Sequence, residues 1–93
     1  MVLLDTHVWI WTIEGEGRRI GRRARQMIPR AEAREAVRIS AATVFEIVAL
    51  HTAGRLRLAH PPEQWIERSL DLAGVRLAEL TRGVAVDAPF IPR

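Results

Sequence analysis

The sequence predicts an α/β fold on a parallel sheet, and three observations carry that expectation. Short apolar runs recur at Val2-Leu3-Leu4, at Val37-Arg38-Ile39-Ser40 and at residues 75–80. Stretches with apolar residues at helical spacing separate them, and glycines and prolines stand at the joints. Such alternation favours parallel strands, because each crossover must travel back along the sheet before the next strand begins.

Val2-Leu3-Leu4 ends at an acid and reads as a buried strand of minimal length. Residues 7–13, with Trp9 and Trp11, read as a short helix or turn that Gly15 and Gly17 break. Residues 18–28 turn helical: Ile20, Ala24, Met27 and Ile28 share one face, and five arginines (Arg18, Arg19, Arg22, Arg23, Arg25) fall mostly on the other. Pro29 is expected to end that helix, since the residue before a proline disfavours helical angles. Residues 31–36 read as a loop or short helix.

Val37 to Ser40 alternates and reads as a second strand. A helix follows at once, capped by Ser40 or Thr43, with Val44, Ile47, Val48 and His51 as its stripe and Gly54 past its end. Residues 55–58 form a basic-apolar connector. Pro61 and Pro62 open a further helix carrying Trp65, Ile66, Leu70 and Leu72 or Ala73, stopped by Gly74. Residues 75–80 read as the third strand, Thr81 as the cap of a last short helix through Val86, and residues 90–93 as a tail.

Length and composition bound the rest. A chain of 93 residues holds one domain at most, 1–93. With 48% hydrophobic and 27% charged residues it can bury a modest core, which excludes a disordered chain. The absence of cysteine excludes disulfides, thiolate metal sites and a thiol nucleophile, and fits a cytoplasmic location. The apolar start Met1 to Leu4 is stopped by Asp5 with no basic segment before it, so no secretory signal is expected. No run approaches the roughly 18 apolar residues of a membrane span. The net charge is +3, and all 14 basic residues are arginine. A GC-rich gene accounts for the arginine preference more readily than function does. Either way the surface suits phosphate, since the planar guanidinium binds oxygen pairs.

Two acids stand out. Asp5 follows the first strand directly, and in an open parallel sheet ligands bind outside the carboxyl ends of the strands. It is placed either to hold a cation or to cap the following segment, as Thr6 also is. Glu46 is flanked by apolar residues, with Ala42, Thr43, Ala49 and Leu50 one turn away, so a largely buried carboxylate is expected. An unpaired buried carboxylate costs several kcal/mol, roughly, so an arginine or a divalent cation is expected beside it. Mg²⁺ often takes only one or two protein carboxylates plus substrate phosphates. Asp5 and Glu46 together meet that minimum, and phosphodiester hydrolysis by metal-activated water is the chemistry implied.

Other chemistries find less support. His7, His51 and His60 show no zinc spacing, no phosphate-binding or dinucleotide loop occurs, and Ser40 and Ser69 sit in no nucleophile elbow. The arginines of residues 18–25 read first as a solvated face and second as an RNA surface. Trp9, Trp11 and Trp65 read as core or interface anchors ahead of base-stacking platforms.

Leu3-Leu4-Asp5-Thr6-His7-Val8-Trp9-Ile10-Trp11 resembles the opening of PIN-domain ribonucleases, in particular the VapC-like toxins. The segment from Ile39 to Ile47 resembles their second motif, a strand ending at serine followed by a helix with an acidic residue, and Gly54-Arg55-Leu56-Arg57-Leu58 matches their connector. The resemblance implies a three-layer α/β/α sandwich around a parallel sheet. It implies Asp5 and Glu46 as ligands for Mg²⁺ or Mn²⁺, with Thr6 orienting the site from beside Asp5. The implied activity is endonucleolytic RNA cleavage, restrained by a VapB-like antitoxin.

A further acidic motif, similar to His-x-Asp-Pro-x-Asp-Arg, is expected in that family shortly after the third-strand helix. The chain stops at Pro92-Arg93 near its expected start, and Asp87-Ala88-Pro89 does not match it. The resemblance therefore predicts a sheet without its last strands and helices, and a site short of at least one acid. An uncovered edge and apolar helix faces favour a homodimer or higher oligomer. The alternatives to an active ribonuclease are a fragment that only binds antitoxin or RNA, and an unrelated small basic nucleic-acid-binding domain.

Overall fold

The computed structural model describes residues 1–72, 74–78, 82 and 90–92. The chain forms strand β1 (Val2–Leu4), helix α1 (Thr6–Ile13), a 3₁₀ turn (Gly17–Arg19) and helix α2 (Arg22–Ala33). Strand β2 (Val37–Ser40), helix α3 (Ala41–Thr52) and helix α4 (Pro62–Leu70) follow, then strand β3 (Val75–Ala78) and strand β4 (Phe90–Ile91). All strand pairings are parallel, in the order β3-β2-β1-β4. The α/β class and the parallel sheet are as the sequence predicts.

The strand order fixes where a ligand would bind. From β1 the chain steps to β2 and on to β3, then returns across the sheet to place β4 on the other side of β1. The direction of stepping reverses beside β1, and such a switch point opens a crevice at the carboxyl ends of the strands. Asp5 is the residue at that end of β1.

The core lies where the sheet's apolar residues meet the helices. Leu4, Val37, Ile39 and Val75 from the strands pack with Val8, Trp9 and Ile10 of α1, Ile28 of α2, Ile47 of α3 and Trp65 of α4. Trp9 and Trp65 meet edge to face, centroids 5.0 Å apart, an arrangement the indole quadrupole favours. Both are core anchors, as expected, whereas Trp11 is only half-buried at the rim.

Three local expectations are overturned. Pro29 does not end its helix: α2 runs from Arg22 through it to Ala33. Proline removes one hydrogen bond of the helix. Here Ile28 and Ala31 on either side are buried, and Pro29 itself is exposed. Burial of two neighbours outweighs one lost bond, and the break is delayed to Glu35, which takes the left-handed conformation at φ 53°. Met27, expected on the apolar face, is partly exposed. Residues 90–91 are no tail: Phe90 pairs with Leu3 and Ile91 with Leu4. The free edge of β1 carries unpaired amides and carbonyls, which β4 satisfies. The expected cap at Thr81, the helix through Val86, the end of the third strand at Leu80, and Asp87 lie outside the described residues.

Ser40 is the N-cap of α3, its Oγ accepting from the Thr43 N–H at 3.1 Å. Ser40→Ala is expected to lower stability by about 0.5–2 kcal/mol, read from the urea midpoint. A change outside that range argues that the cap is not what holds the start of α3. Gly54, past the end of α3, adopts φ +72° as expected.

Candidate functional site

Two adjacent parallel strands end at the same edge of the sheet, and each feeds a helix whose N-terminus points back to it. Asp5 and Ser40 are the joints. Asp5 is extended (φ −61°, ψ 151°), and its Oδ2 accepts the His7 N–H at 3.0 Å, so it caps α1. Its backbone is held on both sides: the Asp5 N–H donates to the Ile91 carbonyl at 2.9 Å, and its carbonyl accepts from Trp9 N–H at 3.0 Å. The capping role thus belongs to Asp5 and not to Thr6. A carboxylate offers two oxygens and about four lone-pair positions, so one capping bond leaves room for a cation. The side chain is 28% exposed and His7 Nδ1 stands 4.0 Å from Oδ2.

Thr6 is buried, and its hydroxyl donates, at a long 3.5 Å, to Thr43 Oγ1. Ser40 Oγ–H donates to the same oxygen at 3.2 Å. A short chain of hydroxyls therefore ties the start of α1 to the first turn of α3. The sequence reading missed Thr43 in this role. The signal was present: a threonine three residues after a capping serine faces back toward the helix start.

Glu46 lies one turn beyond Thr43, and residues three apart are neighbours on a helix surface. The expected burial of Glu46 is overturned, for the residue is exposed. Helix α3 turns Thr43 and Ile47 to the core, with Val44 and Leu50 half-buried, and Val48 and His51 of the expected stripe are exposed. Phe45, beside Glu46, is 77% exposed. The helix is apolar on nearly every side, so periodicity cannot say which side is covered. The desolvation argument for a cation therefore falls away at Glu46, and its placement next to Thr43 is what remains. Among the described residues Glu46 makes no ion pair.

The donors near the sheet edge are mostly oxygen: the Asp5 carboxylate and the hydroxyls of Thr6, Ser40 and Thr43, with Glu46 one turn further along α3 and the His7 ring beside Asp5. That set suits a hard cation such as Mg²⁺ or Mn²⁺, which keeps several waters and needs few protein ligands. Among the described residues no group of three or more His, Asp or Glu side chains comes together. Helix N-termini add partial positive charge where a phosphate would lie. No helix among the described residues is long and apolar enough to cross a membrane.

Comparison with curated proteins and with solved structures gave no match. The family model of the PIN domain matches residues 2–93. PIN domains are generally nucleases, commonly metal-dependent ribonucleases, and typically use divalent metals. With the match spanning nearly the whole chain, from β1 through β4, this protein belongs to the PIN domain family.

Proposed function

We propose that this chain is a metal-dependent endoribonuclease of the toxin type, restrained in the cell by an antitoxin protein. The observation that carries the reading is the position of Asp5 at the switch point of the sheet, with Thr6 reaching across to the turn before Glu46. Asp5 and Glu46 would hold the cation, and Thr6 would keep the two helices in register around it. A cation held there would supply Lewis acidity and would lower the pKa of its water enough to make a nucleophile near neutral pH. The residues of the chain do the rest: Asp5 is fixed through its backbone and capping bonds, and the two helix N-termini favour the negative charge of the substrate backbone.

The test is cleavage of a mixed single-stranded RNA with Mn²⁺ or Mg²⁺, beside an EDTA control. Metal-dependent cleavage is the expected result. A folded protein that leaves RNA intact under every metal condition would favour a second reading, a binding module for antitoxin or RNA. The observation behind that alternative is the absence, among the described residues, of a three-ligand acidic cluster, together with the uncovered Phe45 and Val48 on α3. Co-purification with an antitoxin, or self-association through that face, would then be its remaining activity.

A further inference from the structure

A cleft of about 710 Å³ runs beside α1, and its walls differ from those of the core. His7, Ile10 and Trp11 on one face of α1, with Glu14 just past its end, form one side. That side spans roughly 10 Å at about 1.5 Å per residue. The connector of residues 55–59 forms the other side, with Arg55 and Arg57 exposed on it. The reversal at Gly54 brings this connector back along α1, where the Ala59 N–H donates to Glu14 Oε1 at 2.9 Å.

The cleft combines aromatic rings with guanidinium groups. Arg19 lies over Trp11, 5.0 Å from the ring centroid, and is held by Glu16 at 3.4 Å. The His7 ring is tilted 55° to Trp11 at 5.9 Å. His7 Nδ1 also stands 4.0 Å from Asp5 Oδ2, so one wall of the cleft lies beside the candidate metal site. Of the two carboxylates in the walls, Glu16 is matched by Arg19, and Glu14 accepts from Ala59 N–H and Trp65 Nε1–H. Among the described residues Arg55 and Arg57 form no ion pair, so the cleft keeps a positive excess.

We propose that this cleft is a nucleotide subsite for single-stranded RNA, seating the nucleotide next to the phosphate at Asp5. The base lies against the Trp11 indole and the Arg19 guanidinium plane, and Arg55 and Arg57 take the backbone phosphates. Stacking of a base on an aromatic side chain is tolerant of sequence, while phosphate contacts give salt dependence. The inference rests on the ribonuclease reading, and its test separates the two.

The experiment is fluorescence anisotropy of a fluorescein-labelled single-stranded RNA decamer with the full chain in EDTA, where nothing is cut. Arg55→Ala/Arg57→Ala is expected to weaken binding at least about tenfold and to reduce the salt slope by about 1.4, at roughly 0.7 per phosphate contact. Trp11→Leu is expected to weaken binding roughly 5- to 100-fold with the slope unchanged, and Trp11→Phe to restore most of it. Arg22→Ala/Arg23→Ala, on the exposed side of α2, is the charge control, expected to change binding less than about threefold. Circular dichroism verifies folding of each variant. Equal losses in the two arginine pairs, or no loss at Arg55 and Arg57, overturn the subsite. Cleavage by the wild type with metal, alongside unmoved binding in the cleft variants, removes the subsite and keeps the nuclease. Cleft-dependent binding without any cleavage keeps the subsite and removes the nuclease.

Discussion

Asp5→Asn is expected to lower metal-dependent RNA cleavage by at least about 100-fold while the protein keeps its fold. Asparagine caps a helix as well as aspartate does, so the bond to the His7 N–H survives. The Ile91 and Trp9 backbone bonds at this residue are indifferent to the side chain. What disappears is the charge, and with it the carboxylate that the proposed function assigns to the cation. Substitutions in the shell behind metal ligands already cost about 10- to 100-fold, so loss of a ligand itself should cost no less. The measurement is single-turnover cleavage across a Mn²⁺ titration, with a thermal melt of the same sample. Asp5→Ala is the informative contrast, because it removes cap and charge together and should also cost about 1 kcal/mol of stability. Cleavage by Asp5→Asn at the wild-type rate would mean that Asp5 is a cap and nothing more.

The largest expected effect on stability is at Gly74. Its φ of +84° lies in the region that only glycine enters freely, and the space is filled as well. A Cβ there would stand 2.3 Å from the Glu32 carbonyl oxygen and 2.7 Å from its Cα. Those are backbone atoms of α2, which cannot swing aside as a side-chain tip would. The same residue gives its carbonyl to the Val37 N–H at 3.1 Å, so moving it disturbs the pairing of β2 with β3. Backbone strain of about 1–3 kcal/mol adds to overpacking of about 1–3 kcal/mol. Gly74→Ala should therefore lose about 2–6 kcal/mol, a large part of the roughly 5–15 kcal/mol that holds a domain together. Gly54→Ala isolates the first effect: φ is +72° there with nothing within 4 Å, and about 1–2 kcal/mol is expected. Equal urea midpoints for the two variants would contradict the close approach to α2.

The sequence was most legible where one physical constraint dominated. Val2-Leu3-Leu4 and Val37-Arg38-Ile39-Ser40 are strands because short apolar or alternating runs bounded by polar residues have few alternatives. The place of Asp5 at the end of β1 was legible because the end of a buried strand is a singular place for a charge; its role there as a ligand is the proposal. Tertiary effects hid the rest. Pro29 looked like a stop, and the packing of Ile28 and Ala31 overrode it. Two residues are too few to show a period, so β4 could not be told from a tail between two prolines. Glu46 was misjudged because apolar neighbours show only that a surface prefers cover, and α3 leaves Phe45 and Val48 exposed. The link from Thr6 to Thr43 spans 37 positions and has no local signature.

The bond from the Asp5 amide to the Ile91 carbonyl orders the steps by which Asp5 becomes held. Eighty-six positions separate the two residues (91 − 5 = 86), so the contact closes one of the longest loops the chain can make. Contacts of such separation are costly in loop entropy and form late in folding. On a ribosome that emits residues 1–52 first, β1, β2 and α3 can begin to assemble while Asp5 still lacks its neighbouring strand. The acid is locked in place only after residue 91 has emerged and docked. The end of β1, where the candidate site begins, therefore gains its last backbone partner only from residue 91.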